Sequence, residues 1–266
     1  MYFPRDWDKP STENEGLCRL FGYGVFEDQG KLPYRIFEPE TSEKVPLLVY
    51  LHGADAFGND NEAQLAIHDI GTCFARPERQ RKNPCFILAP QCTQKSPWSI
   101  RSSGGRLLKL ISKLISGDER IDRERIYIYG YSAGAIGSLR LIKERPEIFA
   151  AAVSICGATE RDKLEILEDI PLWLIHAADD EIVWASFNSG SSGSALLGSA
   201  EICDILKERA KDIRYTEYPP GFMKEKYGVN PHCTWVPAAE DEELARWLFS
   251  RRKRSNARIS SGSEGV

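Results

Sequence analysis

Seven short apolar, β-rich runs separated by helical stretches constrain the fold of this 266-residue chain more than any other feature. They are Leu32–Phe37 (LPYRIF), Pro46–His52 (PLLVYLH), Cys85–Pro90 (CFILAP), Arg125–Gly130 (RIYIYG), Ala151–Gly157 (AAVSICG), Pro171–Ala177 (PLWLIHA) and Ile213–Pro219 (IRYTEYP). Strands alternating with helices are joined by crossover connections, which build a mostly parallel sheet covered on both faces. The clearest helix is GGRLLKLISKLIS, where Leu107, Leu110, Ile111 and Leu114 recur at helical spacing and Leu108 and Ile115 widen the apolar face. Further helices are expected from Ala135 to Arg145, from Glu201 to Ala210 and from Pro237 to Phe249. The expected fold class is therefore α/β, a mostly parallel twisted sheet flanked by helices on both faces.

Composition narrows the partners. With 35 Lys and Arg against 39 Asp and Glu the formal charge is −4, so no overall positive field draws the chain to nucleic acid or anionic lipid. A small-molecule ester or a peptide suits this surface better. The seven cysteines (18, 73, 85, 92, 156, 203 and 233) are odd in number and form no Cys-x-x-Cys pair, which favours reduced thiols. The first residues lack a secretory apolar run, and no segment approaches the ~20 apolar residues of a membrane span. A cytoplasmic location is the expectation. Residues 1–30 are expected as an N-terminal extension leading into the sheet, 31–250 as the catalytic domain and 251–266 as a basic, then Ser/Gly-rich disordered tail. The basic cluster Arg251, Arg252, Lys253 and Arg254 reads as a solvated helix end ahead of a nucleic-acid or nuclear-localisation patch. NSGSSGSALLGS (188–199) reads as a flexible loop.

Chemistry concentrates around Gly130-Tyr131-Ser132-Ala133-Gly134, which follows a β-branched and aromatic run and precedes a helix. Gly-x-Ser-x-Gly in this context is a nucleophile elbow: a sharp strand-to-helix turn exposes the serine, and a side chain at either glycine would collide with neighbouring backbone. A serine that merely caps the helix is the alternative. A serine hydroxyl needs a base to take its proton. Of the four histidines, His52 and His68 precede the serine, whereas this fold orders serine, acid, then histidine. His176 ends a strand too early to leave room for an acid strand before it, so His232 in NPHCTW is the candidate base. The acid is expected in AADDEIV after PLWLIHA, where Asp179, Asp180 and Glu181 all qualify. For the oxyanion hole the candidate amides are Ala133, which follows the nucleophile, and Ala54 in the His52-Gly53-Ala54-Asp55 turn.

Together these segments resemble the α/β-hydrolase esterases and predicted peptidases related to polyhydroxybutyrate depolymerases and to feruloyl and acetylxylan esterases. VPLLVYLHGADAFGNDNEAQL is similar to that group's oxyanion loop, FILAPQCTQKSPW to its Pro-Gln-Cys…Trp segment, and IDRERIYIYGYSAGAIGSLRL to its elbow. PLWLIHAADDEIV, IRYTEYP and HCTW are similar to its acid loop, last strand and histidine loop. The resemblance implies an acid four residues after the histidine of a His-x-x-x-Asp run, which selects Asp180 after His176. The chain departs from the group at Ala133, where Met is frequent, and at ADAFG, where Gly-Glu-Arg-Gly is common. PPGFMKEKYGVN also lengthens the approach to His232.

The leading expectation is a serine hydrolase that cleaves carboxylic esters through an acyl-enzyme, with Ser132, His232 and Asp180 as the triad and neither a metal nor an organic cofactor. A serine peptidase on the same triad and a non-catalytic hydrolase-fold binding protein are the alternatives. Trp98, Trp184, Trp235, Phe222 and Tyr227 are expected to border the site, with Trp98 and Trp235 the candidates for a substrate wall.

Overall fold

The structure, a computed structural model, describes residues 12–94, 97–187 and 195–253. Its strands are β1 Gly22–Glu27, β2 Lys31–Phe37, β3 Val45–Leu51, β4 Phe86–Pro90, β5 Ile121–Tyr131, β6 Ala151–Ile155, β7 Ala158–Glu160, β8 Leu172–Ala177, β9 Leu196–Gly198 and β10 Ile213–Tyr218. Among the described residues eight of them form one sheet in the order β1-β2-β4-β3-β5-β6-β8-β10, and β7 pairs with β9 separately. From β4 through β10 the pairing is parallel, while β1 and β2 join antiparallel at one edge. Each of the seven expected strands is present, and the architecture is the mostly parallel α/β sheet.

Among the described residues the α-helices are α1 Thr12–Cys18, α2 Ala63–Ala66, α3 Pro77–Lys82, α4 Ser103–Gly117, α5 Ala133–Glu144, α6 Ser199–Leu206, α7 Phe222–Tyr227, α8 Trp235–Glu240 and α9 Glu242–Phe249. Side chains alternate across each strand, so a strand buried on both sides divides its residues between two cores. In β3, Leu48 and Tyr50 join Tyr127, Tyr129, Trp173 and Ile175 on one face, beneath Leu17 of α1 and Trp247 and Leu248 of α9. Leu47, Val49 and Leu51 join Ile126, Ile128, Leu172 and Leu174 on the other, beneath Leu107 and Ile111 of α4, Leu139 of α5 and Ile202 of α6.

One expectation changes. The single helix read from Pro237 to Phe249 is two helices, because Asp241 is extended (φ −73°, ψ 106°) and its carboxylate caps α9 by accepting from the Glu243 and Leu244 amides. The basic cluster, as far as it is described, lies just past the end of α9 with Arg252 exposed, and it is tied down by partners. Arg251 pairs with Asp212 at 2.8 Å, Arg252 with Asp122 at 2.9 Å, and Lys253 donates its amide to Glu124 O and its Nζ to Glu147 O. These residues fasten the chain across the amino-terminal ends of the strands, opposite Ser132. Arg254 and the rest of the expected tail lie outside the described residues, as does 188–194 of the expected loop. No helix among the described residues is long and apolar enough to cross a membrane.

Candidate active site

Ser132 sits between β5 and α5 with φ +55° and ψ −119°. A non-glycine residue in that region costs on the order of 1–3 kcal/mol and persists only where the surroundings impose it. Here they do. A Cβ on Gly134 would lie 1.9 Å from Leu51 O, and one on Gly130 would lie 2.4 Å from the Gly134 carbonyl. The elbow thus packs directly on the end of β3, while the Ser132 amide donates to Ile155 O at 2.9 Å.

The side chains of Ser132, His232 and Asp180 converge at the carboxyl ends of β5, β8 and β10. Ser132 Oγ lies 2.9 Å from His232 Nε2, and His232 Nδ1 lies 2.7 Å from Asp180 Oδ2. A carboxylate only accepts, so Nδ1 carries the proton and Nε2 presents its lone pair to the serine hydroxyl. An imidazole held in this tautomer can take the hydroxyl proton as the oxygen attacks. Asp179 and Glu181 are elsewhere: Asp179 Oδ2 accepts from the Gly221 amide at 2.8 Å, and Glu181 is exposed.

Asp180 is surrounded by donors. Its Oδ1 accepts from the Ile182 and Val183 amides, and its Oδ2 lies 3.2 Å from His176 Nε2. Burial opposes its ionisation, but the hydrogen bonds and charges of His176 and His232 outweigh that and hold the carboxyl well below the usual range. Beneath His232, the Cys156 thiol donates to the His232 carbonyl at 3.0 Å and lies 2.9 Å from Thr234 Oγ1. Burial pushes this thiol far up, so it stays protonated and can act as that donor. Cys156, His176 and Asp180 do place possible metal-ligand atoms within 4.8 Å of one another. Cys156 and Asp180 are committed to His232 by the bonds just described, and the His176 ring nitrogens lie 2.8 Å from Ser199 Oγ and 2.8 Å from Val183 O.

The two candidate oxyanion amides, Ala133 and Ala54, donate to no group among the described residues. Ala54 opens a short 3-10 turn, Ala54–Ala56. Buried His52 sets the turn's direction: its Nε2 accepts from the Cys92 amide at 3.1 Å, which leaves Nδ1 to donate to Gly53 O at 2.7 Å. The Gly53–Ala54 peptide is trans, so the Ala54 N–H points opposite to the Gly53 carbonyl and away from His52. Burial, against the weaker pull of the Gly53 bond, lowers the His52 pKa from 6.5 to about 4. The unfolded chain therefore binds the extra proton first, and stability falls as pH drops from 6.5 towards 4. This group alone is expected to remove about 3 kcal/mol over that window. Urea unfolding at pH 7 and pH 4 checks this: the difference should shrink in His52→Gln, and an equal difference in both proteins would contradict it.

Across the same turn Asp55 Oδ2 meets His68 Nε2 at 2.9 Å. The His68 ring lies edge-on between Tyr131 and Trp235, 4.9 Å from each centroid, and Tyr131 in turn packs 5.2 Å from His232. Sequence reasoning passed over this pair, because the two residues are 13 positions apart and share no motif.

Trp98 does not form a substrate wall. It is fully buried, folded back at φ +43°, and pressed on Gly137 of α5, where a Cβ would sit 2.4 Å from the Trp98 Cβ. Its ring packs 5.0 Å from His52, making it a plug beneath the oxyanion loop. Trp235 is 9% exposed and serves chiefly as packing for His68. Trp184, on the acid loop, is 52% exposed. Phe222 stacks on Tyr218 at 5.1 Å and packs against Tyr227.

A crystallised thermostable esterase is 37% identical to this chain and superposes with a TM-score of 0.81 over 89% of it. The chain has the α/β-hydrolase fold. The chain spans 64% of that esterase's length, so about a third of the esterase has no counterpart here. A dienelactone hydrolase from Anabaena variabilis is 16% identical with a TM-score of 0.57, covering 88% of this chain and 98% of its own. The acylaminoacyl peptidase of Pyrococcus horikoshii is 14% identical with a TM-score of 0.60, covering 90% of this chain and 43% of its own. At these identities both speak for the fold alone. Residues 107–185, which include the elbow and Asp180, match the prolyl oligopeptidase family. A search of curated proteins finds no match.

Proposed function

We propose that this chain is a serine hydrolase that cleaves carboxylic esters through an acyl-enzyme. The observation that carries the reading is the continuous hydrogen-bond relay from Ser132 Oγ through His232 to Asp180 Oδ2. Ser132 attacks the ester carbonyl, His232 takes its proton and returns it to the leaving alcohol, and Asp180 holds the imidazole tautomer and stabilises the imidazolium. The Ala133 and Ala54 amides receive the oxyanion. Water then repeats the sequence on the acyl-enzyme. The residues of 31–250 carry this chemistry, with β1 completing the sheet edge ahead of them. Exposed Trp184 is the aromatic best placed to meet substrate. The free state of all seven cysteines supports a reducing, cytoplasmic setting.

The 37% identical esterase favours an ester, and the prolyl oligopeptidase match keeps a peptide amide as the second reading. A hydrolysis panel of short acyl esters, feruloyl esters, acetylated sugars and peptide amides separates them. Turnover is expected to be fastest on an ester of the panel. Faster turnover of the amides would transfer the assignment to peptidase, and no turnover of any member would contradict both.

A further inference from the structure

We infer that the Asp55–His68 pair is a positioning device for the oxyanion amide of Ala54, an inference that rests on the serine hydrolase reading. An oxyanion donor acts only if it is already aimed when charge develops, so the backbone that carries it must be fixed from more than one side. The Ala54 turn is fixed on its near side by His52, which holds the Gly53 carbonyl. Further along, Gln91 Nε2 donates to Ala56 O at 3.2 Å and the Gly58 amide donates to Cys92 O at 3.0 Å. Between these anchors lies Asp55, adjacent to Ala54. Its side chain is 25% exposed and would be free to swing into water, yet it is tied to an imidazole that is only 5% exposed.

The place of that imidazole gives the tie its purpose. His68 is wedged between Tyr131 and Trp235. Tyr131 immediately precedes the nucleophile, and Trp235 stands three residues after the base. One buried ring therefore sets the oxyanion loop against both the nucleophile segment and the base segment. Gly53 leaves no slack in the arrangement: a Cβ there would lie 2.9 Å from both Asp55 Oδ1 and the Tyr131 ring. The Asp55 carboxyl reflects the contact, since burial raises its pKa but its interaction with His68 more than offsets that, keeping the carboxylate ionised.

Steady-state kinetics on a short, uncharged acyl ester test this, with Asp55→Ala, Asp55→Asn and His68→Phe compared with wild type and melting temperatures measured for each. A donor that wanders lowers kcat and spares KM, because ground-state binding does not need it. Asp55→Ala is expected to lower kcat at least about tenfold, with KM within about threefold. His68→Phe, which keeps an aromatic ring in the wedge but loses the bond, should match it and serves as the second probe if Asp55→Ala does not fold. Asp55→Asn still offers an oxygen to the imidazole N–H and should stay within about threefold of wild type. Wild-type kcat in both Asp55→Ala and His68→Phe would overturn the inference. So would a rise in KM shared by Asp55→Ala and Asp55→Asn with kcat unchanged, which would mark the carboxylate as a substrate contact. Those results leave the hydrolase reading in place, whereas a wild-type protein that turns over no ester removes both.

Discussion

Replacing Asp180 by Asn is expected to lower turnover of an activated ester by about 10⁴, the loss seen when the acid of the best-studied triad is changed in this way. The physical reason lies in what faces His232 Nδ1. The Asp180 carboxylate has only acceptors and lies 2.7 Å away, so it admits a single neutral tautomer. An amide can turn its NH₂ towards the same nitrogen, and the imidazole proton then moves to Nε2, where it blocks the serine. The other oxygen strengthens the expectation: the Ile182 and Val183 amides both donate to Asp180 Oδ1, so an Asn keeps its oxygen there and turns its NH₂ to the side that faces His232. Asp179→Asn and Glu181→Gln provide the comparison. Asp179 accepts a bond from the Gly221 amide that an Asn oxygen can still accept, and Glu181 is exposed. Each should stay within about tenfold of wild type, far above the level of a lost triad acid. A collapse in either, with Asp180→Asn nearly unaffected, would sink the assignment of the acid.

Ser132→Ala is expected to bring hydrolysis to background, a loss of about 10⁶ by analogy with nucleophile knock-outs in a serine protease. The melting temperature should stay close to that of wild type. The hydroxyl's partner is the His232 ring nitrogen, while the fold-bearing contacts of the elbow are made by backbone: the Ser132 amide to Ile155 O and the two glycines against each other and Leu51. Alanine keeps all of these. Activity retained at wild-type level would mean that another group attacks the ester.

The strands that were legible in the sequence are those buried on both faces, such as Val45–Leu51, whose unbroken apolar run admits no other placement. β1 was not, because its residues are mostly exposed and two of its six are glycines. The three-residue β7 and β9 are too short to leave a pattern. Ser132 and His232 could be read from order and context, since elbow geometry demands small residues and the fold demands a late histidine. Asp180 needed the resemblance: three adjacent acids follow β8, and only the direction of each side chain separates them. Trp98 was misread for the opposite reason. Its segment does run beside the site, but the positive φ that turns the indole inward leaves no trace in the sequence. The Asp55–His68 pair was invisible because it arises only when a loop after β3 folds back over α2 and the turn that follows.

The central claim, that Ser132 is a nucleophile activated by His232 and Asp180, is tested most directly by reaction with a fluorophosphonate probe followed by mass-spectrometric mapping of the adduct. An unactivated serine does not react, so the probe reads activation and position at once. The prediction is one adduct per chain, on Ser132, formed rapidly by wild type, slowly by Asp180→Asn and not at all by Ser132→Ala. An adduct on a different serine, or a wild-type protein that stays unlabelled, would contradict it.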